Sequence, residues 1–115
     1  MAMRVLFAGS PEVALPSLQA LLSSDVNVVG VLSQSAKPVG RAKTLTDTAV
    51  SAFAKARGLP VANPQDSRGI LRAVAEWSPD VAIVVAYGRL LPLPVRESVP
   101  GGWWNVHFSL LPQWR

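Results

Sequence analysis

The stretch VAIVVAYG, residues 81 to 88, is continuously apolar and rich in β-branched residues, and it restricts the fold more than any other part of the sequence. A strand with one wet face alternates apolar and polar residues. An unbroken run suits a strand of a parallel sheet covered on both faces by helices. Two further runs, RVLFAG at 4–9 and VNVVGVL at 26–32, have the same character. Between them Val13, Leu15, Leu18, Leu21 and Leu22 recur near the 3.6-residue helical period, so the chain opens β, α, β.

The helical punctuation fits this order. Ser10, Pro11 and Glu12 read as N-cap, first helical position and a carboxylate near the positive helix end. Residues 33–46, SQSAKPVGRAKTLT, lose the apolar pattern and read as a basic surface loop. Thr46 or Asp47 is expected to cap a helix that Gly58 stops, and LPVAN at 59–63 to form a third strand. Ser67 opens another helix with Ile70, Leu71, Val74 and Trp77 on one side. Pro92, Pro94 and Pro100 mark an irregular connection with one helical turn, and Gly101 to Val106 lead into a fifth strand. The predicted fold is one α/β domain over residues 1–115: a doubly wound, mostly parallel, Rossmann-like sheet with flanking helices, incomplete at its C-terminal end.

Composition limits the chemistry. Half of the residues are hydrophobic and 16% are charged, the balance of a chain that folds around a core. The net charge of +4 favours anionic partners without marking an obligate nucleic-acid binder. There is no cysteine and a single histidine, His107, so metal catalysis is not expected. No segment has a signal-peptide pattern or the roughly 20 apolar residues that span a bilayer, and the expected location is cytoplasmic. The turn AGSPEVA has one glycine where a dinucleotide fingerprint needs three, and it lacks the Lys of a P-loop. Ligands in doubly wound folds nevertheless gather at the carboxyl ends of strands, so this turn is a candidate pocket wall.

The densest polar pattern is NVHFSLLP, residues 105–112. Asn105, His107 and Ser109 fall at i, i+2 and i+4, which in an extended segment places them on one side. An Asn amide donates a hydrogen bond to a developing oxyanion. A histidine does the same when protonated, or acts as general base when neutral. Taken singly, these residues fit a turn, a satisfied structural histidine and a helix cap equally well.

MRVLFAGSPEVALPSL, KPVGRAKTLT, VVAYGRLLP and GWWNVHFSLLPQWR resemble, in that order, the successive motifs of the methionyl-tRNA formyltransferase family. NVHFSLLP alone is shared by the wider group of 10-formyltetrahydrofolate-dependent formyltransferases. The resemblance implies formyl transfer from 10-formyltetrahydrofolate to the α-amine of methionine on initiator Met-tRNA, a step of translation initiation. By this resemblance Asn105 and His107 are the catalytic amide and imidazole. Ser109, Leu110, Leu111 and Pro112 lie against substrate or folate, and Ala86, Tyr87, Gly88 and Leu90 belong to the segment that holds the pterin. Lys37, Arg41 and Lys43 belong to a basic loop that engages the tRNA acceptor arm, with no metal and no membrane involved.

The family's third catalytic residue, an aspartate, is expected beyond SLLP; none of Asp25, Asp47, Asp66 and Asp80 matches it. Its C-terminal tRNA-binding domain is expected to be absent here and the 115 residues to be inactive alone. Two other readings stand beside this one: a folate-dependent formyltransferase with a sugar nucleotide or glycinamide ribonucleotide as acceptor, and a non-catalytic α/β binding module.

Overall fold

The computed structural model describes residues 2–106. Seven strands and four α-helices follow one another as β1 (Arg4–Gly9), α1 (Leu15–Leu22), β2 (Asn27–Leu32), β3 (Lys37–Val39), β4 (Thr44–Thr46), α2 (Ala49–Ala56), β5 (Val61–Ala62), α3 (Ser67–Trp77), β6 (Val81–Val85), α4 (Leu93–Arg96) and β7 (Trp103–Asn105). A 3-10 turn, Glu12–Ala14, precedes α1. Five strands form one sheet in the order β5-β2-β1-β6-β7, and every pairing in it is parallel.

Strand alternation divides the core into two layers. On one face Phe7, Val28, Val31 and Val85 pack with Leu18 of α1 and Val50 and Ala54 of α2. On the other, Leu6, Ala8, Leu32, Ala82 and Val84 pack with Ile70, Ala73, Val74 and Trp77 of α3 and Val95 of α4. Both faces of β1 and β6 are thus dry, which accounts for their unbroken apolar sequences. Such burial is the dominant stabilising term, at ~25 cal/mol per Å² of apolar surface removed from water.

One irregularity in β2 shapes the second layer. The register against β1 runs from Val5↔Val28 to Leu6↔Gly30, so Val29 is an extra residue and the strand bulges there. The bulge sets Gly30 beneath the indole of Trp77; a Cβ on Gly30 would lie closer than 3.0 Å to the ring atoms Cδ2 and Cε3. At this same C-terminal end of α3 the chain is held from β1: Arg4 donates from Nε to the Ser78 carbonyl and from its guanidinium to the Trp77 carbonyl, satisfying the helix's last acceptors.

Several local expectations change. Ser10 does not cap a helix; its side chain turns inward, and no side-chain cap precedes the 3-10 turn or α1. Thr48, rather than Thr46 or Asp47, caps α2 by accepting from the Ser51 N–H; α3 opens at Ser67 as expected, with Asp66 before it accepting from the Gly69 N–H. Competing Ser, Thr and Asp residues within a few positions all fit the capping pattern, and the backbone trajectory selects one. The third strand shrinks from 59–63 to Val61–Ala62. Residues 33–46 are not merely a loop: β3 and β4 pair antiparallel as a hairpin, with Gly40 and Lys43 at positive φ in its turn.

Candidate active site

The chain runs outward from β1 to β2 and β5, then returns through α3 to β6 on the opposite side of β1. The segments leaving β1 and β6 therefore diverge, and a crevice opens at their carboxyl ends, the place where doubly wound sheets bind ligands. Here it is a cleft of about 390 Å³ lined by Val13, Val84, Ala86, Tyr87, Gly88, Arg89, Asn105 and Val106. A second cleft of about 730 Å³ shares Gly88 and Arg89 and adds Gln34, Ser67, Leu90, Leu91 and Pro92.

The turn after β6 forms the common wall. Ala86 has φ 51° and Gly88 φ 84°, so the chain twice enters the left-handed region within three residues. For alanine this costs about 1–2 kcal/mol, which surrounding contacts must offset. Buried Ser10 supplies some of them: its hydroxyl donates to the Tyr87 carbonyl at 3.0 Å and accepts from the Gln34 N–H at 3.2 Å, while its carbonyl accepts from Val50 N–H at 3.1 Å. Gln34 Nε2 donates to the Gly88 carbonyl at 2.8 Å, an approach that a Cβ on Gly88 would obstruct. Among the described residues the N–H groups of Gly88, Arg89 and Leu90 meet no acceptor, and all three residues line the larger cleft.

Tyr87 contributes its backbone to the cleft and its ring to the core, where it is 2% exposed. Its hydroxyl has no hydrogen-bond partner among the described residues. Burial pushes the phenol's pKa above its ordinary value, and the nearby Arg89 guanidinium opposes part of that shift. Arg89 itself is tied to the Gln65 carbonyl at 3.1 Å. The native state thus holds the Tyr87 proton more tightly than the unfolded chain. Stability linked to this residue is fully present below about pH 10 and is lost as pH rises towards the folded pKa. Tyr87→Phe is expected to leave neutral-pH stability within about 1 kcal/mol of the parent, because no partner is orphaned, and to flatten the loss above pH 10. Urea midpoints at pH 8 and pH 10.5 decide it; a parallel decline in both proteins sinks the assignment.

Of the residues singled out from sequence, Ala86, Tyr87, Gly88 and Asn105 meet in the smaller cleft and Leu90, 92% exposed, borders the larger one. Asn105 ends β7, held in place by its pairing with Val84. His107, Ser109, Leu110, Leu111 and Pro112 lie outside the described residues. Lys37, Arg41 and Lys43 are exposed on or beside the β3-β4 hairpin, away from both clefts' linings. Val13, expected on the buried side of the first helix, is 53% exposed and lines the cleft instead, because the 3-10 turn rotates it away from the α1 face. The structural parts played by Ser10, Gln34 and Arg89 had no sequence signal beyond their nearness to turns. Among the described residues no group of three or more His, Asp or Glu side chains could hold a metal ion, and no helix is long and apolar enough to cross a membrane.

Comparison with known proteins gives a consistent result. A family model described as formyl transferase matches residues 2–115. The methionyl-tRNA formyltransferase of Renibacterium salmoninarum is 50% identical over 116 residues, covering 98% of this chain and 37% of that protein. That of Corynebacterium glutamicum is 43% identical, covering 98% and 38%. The chain thus spans little more than a third of the length of these relatives. Among solved structures, phosphoribosylglycinamide formyltransferase from Brucella melitensis superposes with a TM-score of 0.69 at 23% identity, covering 97% of this chain and 60% of that one. Glycinamide ribonucleotide transformylase 1 from Symbiobacterium toebii gives 0.68 at 20% identity, covering 96% and 54%. At such identities the agreement is one of fold.

Proposed function

This chain belongs to the formyl transferase family, and from that membership we propose that it furnishes the N-terminal part of a catalytic domain that formylates the α-amine of methionine on initiator Met-tRNA, with 10-formyltetrahydrofolate as donor. The observation that carries the reading is the meeting of Asn105 with the Ala86–Gly88 turn in one cleft at the switch point, in a sequence 43–50% identical to proteins named methionyl-tRNA formyltransferase.

The cleft fits a reduced folate. A flat heterocycle takes hydrogen bonds at its edges and apolar contact on its faces. The unaccepted N–H groups of Gly88 to Leu90 supply the first, and Val84, Ala86 and Leu90 the second. The bound folate supplies an activated formyl group: the bond from the formyl carbon to folate nitrogen breaks as one to the α-amine forms, and the amine's proton passes to the departing nitrogen. The exposed Asn105 amide donates to the formyl oxygen as negative charge grows on it, and the pairing of Asn105 with Val84 that holds its backbone at the cleft supports this reading. His107, two positions on, holds or moves the proton.

The hairpin suits the nucleic-acid half of the acceptor. Lys37, Arg41 and Lys43 fall within seven positions with no carboxylate before Asp47, and phosphates are met by cations of this kind through salt-sensitive, sequence-independent contacts. The work is cytoplasmic and part of translation initiation in this reading.

The test is a chimera in which these 115 residues replace the corresponding part of the Renibacterium salmoninarum relative, assayed for formyl transfer to Met-tRNA, with His107→Ala as control. Transfer within tenfold of that relative, abolished by the substitution, supports the proposal. A folded chimera that formylates glycinamide ribonucleotide and not Met-tRNA overturns the acceptor; one that formylates nothing leaves a binding module.

A further inference from the structure

Gln34 occupies a junction that the proposed chemistry does not use. It stands two residues after β2 ends at Leu32 and three residues before the basic hairpin begins at Lys37. Three of its groups are engaged with three different segments. Its backbone N–H reaches Ser10 in the turn after β1 at 3.2 Å, its carbonyl accepts from Asn63 Nδ2 beyond β5 at 3.2 Å, and its side-chain amide donates to Gly88 beyond β6 at 2.8 Å. The segments leaving β1 and β6, which flank the switch-point crevice, and the one leaving the edge strand β5 are thereby fastened to one residue.

The side-chain bond falls at the most demanding point of the site. Ala86 and Gly88 both have positive φ, and the Gly88, Arg89 and Leu90 N–H groups find no acceptor among the described residues. A turn with so few bonds of its own is fixed by what grips it from outside. The buried Tyr87 ring and the Arg89 bond to the Gln65 carbonyl anchor its side chains, and two side-chain groups bond to its carbonyls: the Ser10 hydroxyl to Tyr87 and Gln34 Nε2 to Gly88. Gly88 is suited to this grip twice over: it tolerates the left-handed φ, and its missing Cβ leaves room for the amide nitrogen, which a Cβ would approach to 2.8 Å. We propose that Gln34 is a positioning residue: its side-chain amide holds the Ala86–Gly88 turn in the conformation that presents the Gly88–Leu90 donors to a reduced folate.

The folate half of this statement rests on the proposed function; the positioning half does not. Gln34→Ala removes the grip and keeps the backbone bonds. Gln34→Glu keeps the length but turns an acceptor onto the Gly88 carbonyl. Gly88→Ala disturbs the same contact from the other side, and in a Gln34→Ala background its clash disappears. Amide order parameters of Gly88 and Arg89 are expected to fall from about 0.85 to below about 0.6 in both Gln34 variants, with Val5 to Ala8 unchanged. In the chimera the affinity for 10-formyltetrahydrofolate is expected to drop about five- to tenfold in both. Gly88→Ala is expected to weaken binding less when added to Gln34→Ala than when made alone.

Unchanged order parameters in both variants overturn the positioning role. Loss of order with unchanged folate affinity overturns its link to the cofactor. A parent chimera that binds no folate refutes the proposed function, and the order parameters then still decide the role of Gln34.

Discussion

Adding one methyl group at Gly30 is expected to destabilise the protein by about 3 kcal/mol or more, the upper end of what overpacking a core costs. The cause is local. The bulge in β2 brings backbone and indole into direct contact, and the new Cβ would fall on ring atoms of Trp77 rather than on the end of a flexible chain. Trp77 is 7% exposed and sits among Ile70, Ala73 and Val74; it borders a cleft of about 290 Å³, but a ring pushed that way gives up its packing against those side chains. Displacing it approaches the ~3–5 kcal/mol cost of truncating a buried tryptophan. Against a total stability of ~5–15 kcal/mol for a domain, the loss shows as a large shift of the urea midpoint. The companion experiment is a cycle with Trp77→Leu: the two changes together should cost at least ~1 kcal/mol less than their sum, because the smaller side chain makes room for the methyl. A Gly30→Ala protein within about 0.5 kcal/mol of the parent would mean that the contact is looser than the structure has it.

Asn105→Ala is expected to lower kcat for formyl transfer in the chimera by about 10²–10³-fold, with little change in the KM for 10-formyltetrahydrofolate. That is the pattern of losing a donor whose bond strengthens as the oxyanion develops. The backbone pairing of Asn105 with Val84 does not depend on the side chain, so β7 survives the change and fold loss does not confound the rates. Asn105→Asp places a carboxylate where negative charge grows and is expected to be at least as damaging. A loss below about threefold for alanine removes Asn105 from the chemistry and leaves the cleft with binding contacts only.

Much of the site was legible before any coordinates. The continuous run at 81–88 announced a strand buried on both faces, because only a parallel sheet between two helical layers makes every side chain of a strand apolar. The string from Asn105 onward suggested chemistry by its residue types; Asn105 lines the cleft, and His107 to Pro112 lie outside the described residues. The basic segment was recognised by its charge but not by its shape. Its pairing as β3 and β4 follows from Gly40 and Lys43 adopting positive φ, which three short β-forming residues on either side do not foretell.

Sequence alone determined the order of the five main-sheet strands and their helices, the parallel sheet and the identity of the polar groups, since hydrophobic period and residue chemistry are local properties. Only the tertiary structure decided what Ser10, Val13, Gly30 and Gln34 do. Ser10 looked like a helix cap and instead bonds to residues 24 and 77 positions away. Val13 looked like core and faces the cleft. Gly30 was one position in an apolar strand run and is the seat of an indole. Gln34 looked like a loop residue and grips a turn 54 positions on. Each role depends on which strand ends the crossover brings side by side, and that is settled when the chain passes back across β1 to lay down β6.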